Sequence, residues 1–91
     1  MIDDRLGFTS QGWSEYTNWQ TEDKKTLKKI NKLIAEALRT PFDGLGHPEI
    51  LRGDFAGCVS REIDGKNRLV YKVLDKGKIV VTLCKGHYKD N

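Results

Sequence analysis

The period of the apolar residues changes once along this chain, and Pro41 marks the change. Before it, Leu27, Ile30, Ile34 and Ala37 recur at spacings of three and four, with Leu33 and Leu38 alongside. That is the stripe of a helix with one buried face. After it, Leu69, Tyr71 and Val73, and then Ile79, Val81 and Leu83, alternate with their neighbours, which is the period of a strand. Proline lacks an N–H and its ring clashes with the preceding helical turn, so no helix runs through position 41. The chain is helical in front and strand-rich behind.

Local signals set the expected limits. Leu6-Gly7-Phe8-Thr9 reads as a short edge strand. Ser10 is a candidate cap for a first helix, with Trp13, Tyr16 and Trp19 at helical spacing and Gly12 weakening it slightly. Thr21 is a candidate cap for a second helix, with Glu22 and Asp23 complementing its dipole and Arg39 in its last turn. Pro41-Phe42-Asp43-Gly44 is a turn, and Gly44-Leu45-Gly46-His47-Pro48 is a loop. Strands follow at Ile50-Leu51-Arg52, Cys58 to Ile63, Asn67 to Leu74 and Lys78 to Lys85. The turns at Asp64-Gly65-Lys66 and Asp75-Lys76-Gly77 are short enough to make neighbours antiparallel. The expected fold is α+β, a single domain over residues 1–91. Two N-terminal helices pack on one face of a small twisted antiparallel sheet, and the other face is left open.

Composition narrows the function. Of 91 residues, 37% are hydrophobic and 32% charged, the balance of a globular domain rather than a disordered one. No apolar run reaches the ~20 residues that span a bilayer, so no membrane association is expected. Met1-Ile2-Asp3-Asp4-Arg5 does not resemble a signal peptide, and the expected address is the cytoplasm. Cys58 and Cys84 form no CxxC pair and are expected as buried free thiols, with neither a disulfide nor a zinc site. The net charge is +3, but residues 1–23 hold five acids against one base, whereas residues 24–91 hold fifteen bases against eight acids. A basic body points to an anionic partner, nucleic acid first.

Alternation then selects candidate chemistry. If Leu69, Tyr71 and Val73 face the helices, Arg68, Val70 and Lys72 face the open side. Glu49 starts one strand and His87 follows the last. RNA carries its own nucleophile, the 2′-OH. Its cleavage needs a base, a cation beside the phosphate and an acid for the departing 5′-oxygen. Glu49 suits the first role, Arg68 the second and His87 the third, with no metal or other cofactor required. Arg52, Arg61, Lys66, Lys72 and Lys85 are candidate substrate-gathering cations, and Tyr88 offers a ring for base stacking. Lys24, Lys28 and Lys32, with Lys25 and Lys29 beside them, form a basic row on the second helix. It reads equally as a solvated face or a phosphate-docking one.

Several segments, in order, resemble the YoeB (Txe) toxins of the RelE superfamily. They are Trp13-Ser14-Glu15-Tyr16 with Trp19-Gln20; Asp23-Lys24-Lys25; Lys29-Ile30-Asn31-Lys32-Leu33-Ile34; and Arg39-Thr40-Pro41-Phe42-Asp43-Gly44. Then come Gly46-His47-Pro48-Glu49-Ile50-Leu51, Ser60-Arg61, Asn67-Arg68-Leu69-Val70-Tyr71 and His87-Tyr88. The resemblance implies a microbial-ribonuclease-like α+β fold and cleavage of mRNA in the ribosomal A site. It implies Glu49, Arg68 and His87 as catalytic residues, with Tyr88 beside them and Arg52 at the family's basic position. It also implies a YefM-like antitoxin as partner, and homodimers. The chain departs from the family pattern at Cys58-Val59, where an aromatic pair is usual, and at Glu62, where an arginine is usual. It also continues past the usual His-Tyr end with Lys89-Asp90-Asn91. Three readings stand: a ribosome-dependent mRNA interferase, an RNA- or ribosome-binding module with weak or absent cleavage, and an interaction protein whose role is to pair with a partner chain.

Overall fold

A computed structural model describes residues 3–87 of the chain. A strand β1 (Leu6–Phe8) leads into two helices, α1 (Ser10–Glu22) and α2 (Lys24–Arg39). Four strands follow: β2 (Glu49–Ile50), β3 (Cys58–Glu62), β4 (Arg68–Val73) and β5 (Ile79–Leu83). The sheet order is β1-β5-β4-β3-β2. The last four strands are antiparallel neighbours, but β1 runs parallel to β5 in the register Leu6↔Ile79 to Phe8↔Val81. The sheet is therefore mixed rather than wholly antiparallel. The physical reason is the crossover: both helices intervene before the chain returns to that edge, so no tight turn imposes antiparallel pairing there.

Both helix caps lie away from the residues expected. Thr9, not Ser10, caps α1. Its Oγ1 accepts the Gly12 N–H at 3.1 Å, while its own N–H is held by the Val81 carbonyl at the end of β1. Asp23, not Thr21, caps α2, accepting the N–H groups of Lys25 and Thr26 at 3.0 and 3.3 Å and the Thr26 hydroxyl at 2.9 Å. A carboxylate at the positive end of the dipole outcompetes a hydroxyl. Those hydrogen bonds, the Thr26 hydroxyl foremost, hold the Asp23 carboxyl below its ordinary pKa. Thr21 instead donates back to the Asn18 carbonyl within α1.

The core lies between the helices and one face of the sheet. Ile30, Leu33, Ile34 and Ala37 of α2 and Trp19 of α1 meet Val59, Leu69, Tyr71, Ile79 and Val81. Gly12 allows α1 to lie directly on β5, since a Cβ there would stand 2.3 Å from the Val81 carbonyl oxygen. Trp19 is buried and donates its indole N–H to the Cys84 carbonyl at 2.9 Å. Trp13, expected on the same apolar face, is 53% exposed and joins Phe8 and Tyr16 in a surface aromatic cluster.

Leu83 and Cys84 have exchanged their expected faces. The register passes from Val70↔Leu83 to Tyr71↔Val81, so Thr82 is an extra residue in β5. Such a bulge reverses the alternation beyond it. Leu83 joins Leu51, Cys58 and Val70 on the far side of the sheet, while Cys84 enters the main core. Both cysteines are buried and unpaired. Burial, with Glu15 nearby, pushes the Cys84 thiol up to about 12.

Candidate active site on the open face of the sheet

Residues paired across neighbouring strands share a face. Glu49 pairs with Ser60, Ser60 with Val70, and Val70 with Leu83, which forms one row across the sheet away from the helices. Glu62 and Arg68 pair in a second row, and Cys58, Lys72 and Val80 in a third. The face is apolar in the middle, where Val70, Leu83, Leu51 and Cys58 cluster with Phe55. It is charged around the edge, at Glu49, Glu62, Arg68 and Lys72, with Arg52, Lys66 and His87 exposed in the segments that flank those strands.

Glu49 stands exposed on the edge strand, at the start of β2 as expected. That strand is two residues long, so the preceding loop must position it. The anchor is Arg61, expected among the substrate-binding cations but fully buried on the helix side. Its guanidinium donates to the carbonyls of Leu45 at 2.7 Å, Thr40 at 2.6 Å and Asp43 at 2.8 Å, and to the Tyr71 hydroxyl at 2.8 Å. Thr40 caps the C-terminal end of α2, where the helix dipole is negative and complements a buried cation. Arg61 therefore cannot reach a substrate. Position 61 has the parity of Val59 rather than of Ser60, and that alternation was the available signal. Gly46, at φ 86°, continues the loop, with its carbonyl accepting the Glu62 N–H at 2.7 Å.

Arg68 is half-buried on the open face, at the start of β4. One guanidinium nitrogen, Nη1, donates to the carbonyls of Asp64 at 2.6 Å and Asn67 at 3.1 Å. Among the described residues no carboxylate forms an ion pair with it, and no group accepts from Nε or Nη2. The side chain is thus steadied through one nitrogen, while no described residue engages the other two.

His87 is exposed, with Nε2 at 3.4 Å from the Gly65 carbonyl oxygen in the β3–β4 turn. Its segment leaves the sheet after Leu83 and is held from three sides. Glu15 of α1 accepts the N–H groups of Cys84 and Lys85 at 2.7 and 3.1 Å. The Asn67 side chain accepts the Gly86 N–H at 2.8 Å, and the Arg68 N–H donates to the Gly86 carbonyl at 3.0 Å. The sequence reading assigned no role to Glu15 or Asn67, because both act through the backbone of a segment distant in sequence.

Glu49, Arg68 and His87 do not touch: among the described residues no hydrogen bond or ion pair joins any two of them. Glu49 lies two strands from Arg68, about 10 Å of sheet width, with the Gly86–His87 segment flanking β4 on its other side. Of the remaining candidates, Arg52 is exposed beyond β2 and Lys66 is exposed in the β3–β4 turn. Lys72 is exposed on the same face. Lys85 is committed elsewhere, paired with Glu22 at 2.8 Å and lying over the Trp19 ring. Tyr88 lies outside the described residues.

Solved structures share this fold. The YoeB/ParE toxin from Agrobacterium tumefaciens superposes with a TM-score of 0.87 at 46% identity, covering 91% of this chain and 98% of that one. The YoeB toxin of Staphylococcus aureus superposes with a TM-score of 0.83 in its heterotetrameric complex with the antitoxin YefM, and 0.82 as a dimer. Both are at 39% identity over 91% of this chain and 95% of the other. Two helices on one face of a five-stranded mixed sheet define the chain as a toxin of the RelE fold. The family model of YoeB-like toxins of bacterial type II toxin–antitoxin systems matches residues 8–88. Toxin YoeB of Streptomyces coelicolor is 48% identical over 84 residues, covering 92% of this chain and 99% of the relative. The chain belongs to the YoeB-like toxin family.

Proposed function

We propose that this toxin is an endoribonuclease that cuts mRNA in the ribosomal A site, by acid–base chemistry through the RNA 2′-OH. The observation that carries the reading is Arg68, on the open face, with two guanidinium nitrogens that no described residue claims, between an exposed Glu49 and an exposed His87. Glu49 takes the 2′-OH proton, and the 2′-oxygen attacks the adjacent phosphorus. Arg68 grips the phosphate oxygens as charge builds on them. His87 gives a proton to the departing 5′-oxygen, leaving a 2′,3′-cyclic phosphate and a 5′-hydroxyl. The nucleophile comes from the substrate and the charge is met by Arg68, so these steps need no metal. The substrate spans the gap that keeps the three side chains apart. Arg52 and Lys66 are placed to meet flanking phosphates, and Tyr88 supplies a stacking surface. Arg61 acts only by holding the loop that presents Glu49.

The partners follow from the same reading. A YefM-like antitoxin binds the toxin, as the YoeB–YefM complex of the S. aureus relative supports. A homodimer is supported by the dimer of that relative and by the exposed Trp13, which packs on the half-buried Phe8 and Tyr16. Work on the ribosome places the protein in the cytoplasm. Among the described residues no helix is long and apolar enough to cross a membrane.

One observation favours a second reading. Glu62 stands in register with Arg68 and brings negative charge to the face that would meet phosphate. That suits a module that holds RNA or ribosome with weak cleavage. Translating a defined message with the purified protein and mapping 5′ ends separates the two. Cuts at the A-site codon that disappear in Arg68→Ala and His87→Ala establish the nuclease. Stalled ribosomes on intact message establish the binding module and overturn the nuclease.

A further inference from the structure

The Asp64–Asn67 turn carries more than a hairpin needs. The Asp64 carboxylate accepts the N–H groups of Lys66 and Asn67, both at 2.8 Å on Oδ1, which closes the turn. It then also accepts from Asn67 Nδ2, at 3.1 Å to each oxygen. A carboxylate only accepts, so the amide nitrogen of Asn67 must face it. The amide oxygen is thereby turned outward, to the Gly86 N–H at 2.8 Å. Asp64 thus decides which end of the Asn67 amide meets the terminal segment. Both backbone groups of Gly86 are occupied, the second by the Arg68 N–H. Gly86 has φ 77°, a left-handed conformation that redirects the chain, and the next residue brings its ring to the Gly65 carbonyl of the same turn. The turn also supports Arg68 Nη1 through the Asp64 and Asn67 carbonyls.

We infer that Asn67, oriented by Asp64, is a positioning residue that fixes the backbone carrying His87 beside Arg68. This rests on the reading of His87 as the general acid. The side chain of Asn67 does not act on substrate. Its amide oxygen holds the Gly86 N–H, and through it the direction from which His87 enters the site. The lock has a polarity, acceptor at position 64 and donor at position 67, and that polarity can be reversed without changing net charge.

The test is the swap. Asn67→Asp sets two carboxylates against each other. Asp64→Asn sets two amide nitrogens against each other unless Asn67 flips, and a flip turns its NH2 toward the Gly86 N–H. Each single change therefore sets like groups against each other at the turn and weakens the hold on Gly86. In Asp64→Asn/Asn67→Asp the new amide at position 64 keeps its oxygen on the turn N–H groups. Its nitrogen donates to the new carboxylate at position 67, whose other oxygen accepts the Gly86 N–H. Two readouts apply to the full chain. Amide hydrogen exchange at Gly86 should quicken about tenfold or more in each single variant and return toward wild type in the double. On ribosome-bound message, kcat should fall about 10–100-fold in the singles with KM within about twofold, and recover in the double. Thermal melting verifies that each variant is folded, as expected for an exposed turn. Singles that keep wild-type exchange and kcat overturn the inference, as does a double no better than the singles. If the wild type itself does not cut message, the nuclease reading falls. The exchange pattern then decides alone: a recovered Gly86 in the double upholds the lock, and an unrecovered one overturns it.

Discussion

Arg61 and Arg68 lie seven positions apart on adjacent strands and meet opposite fates. Arg61 points to the helices, is fully buried, and donates through all three guanidinium nitrogens to three carbonyls and a hydroxyl. Arg68 points to the open face and, among the described residues, spends one guanidinium nitrogen on the protein. The difference is strand parity together with where the chain supplies carbonyls. The loop after α2 wraps Arg61 and accepts three of its hydrogen bonds, with Tyr71 accepting a fourth, so its charge stabilises structure. Among the described residues nothing wraps Arg68 in that way, and under the proposed function its charge serves a phosphate. The two faces of one sheet thus divide the labour between fold and chemistry.

The comparison breaks most visibly under paired substitution. Arg68→Ala and His87→Ala should each lower cleavage of ribosome-bound message by about 10²–10⁴-fold. Neither should move Tm by more than about 4 °C, because each is a change outside the core. Arg61→Met should do the reverse. It orphans the Leu45 carbonyl, removes the hydrogen bonds to the Thr40 and Asp43 carbonyls and to the Tyr71 hydroxyl, and costs about 2–5 kcal/mol, read as a lower urea midpoint. Equal stability losses at positions 61 and 68 would erase the distinction between the faces.

Gly12→Ala probes the helix-covered face alone. A methyl group at that site meets the Val81 backbone, which cannot swing aside, and the expected cost is about 1–3 kcal/mol in denaturant unfolding. A neutral or stabilising result would mean that α1 does not lie as closely on β5 as described. Glu62→Arg probes the open face alone. RNA affinity should rise, and the slope of log K against log salt should steepen by about 0.7 for one added phosphate contact. An unchanged slope would remove Glu62 from the substrate path.

The smallest effect is acid-dependent. Burial raises the Asp64 pKa, but hydrogen bonds from Asn67 and the turn N–H groups outweigh it and leave the carboxyl below its ordinary value. A depressed carboxyl stabilises the fold above its unfolded pKa of about 3.9, and that contribution is lost as pH falls through the lower folded value. Wild type should therefore be more stable than Asp64→Asn near neutrality, and the gap should close in acid below that range. A gap independent of pH would show that the Asp64 charge is not what closes the turn.

Much of the fold was legible in one dimension. The 3.6 and 2.0 periods placed α2, β4 and most of β5, and Pro41 ended the helical half, because backbone geometry imposes those periods locally. Arg68 on the open face followed from the same alternation, and Glu49 at the start of β2 from the Gly- and Pro-rich loop before it. The caps at Thr9 and Asp23 were missed by one and two residues, since neighbouring residues also have capping chemistry and tertiary hydrogen bonds choose among them. Family resemblance, carried by motifs from Trp13 to Tyr88, supplied the roles that parity could not.

What the sequence determined by itself was the division into helices and strands, and which residue types stood on which side of a regular strand. Tertiary structure alone decided the rest. The extra residue at Thr82 sent Leu83 to one face and Cys84 to the other. The parallel seat of β1 beside β5 required the chain to cross over both helices. Arg61 became a strut because carbonyls from positions 40 to 45 converge on it, and Asn67 became a tether because Gly86 comes to lie beside β4. Each is a contact between residues far apart in sequence, and short-range periodicity carries no information about which distant backbone group will arrive.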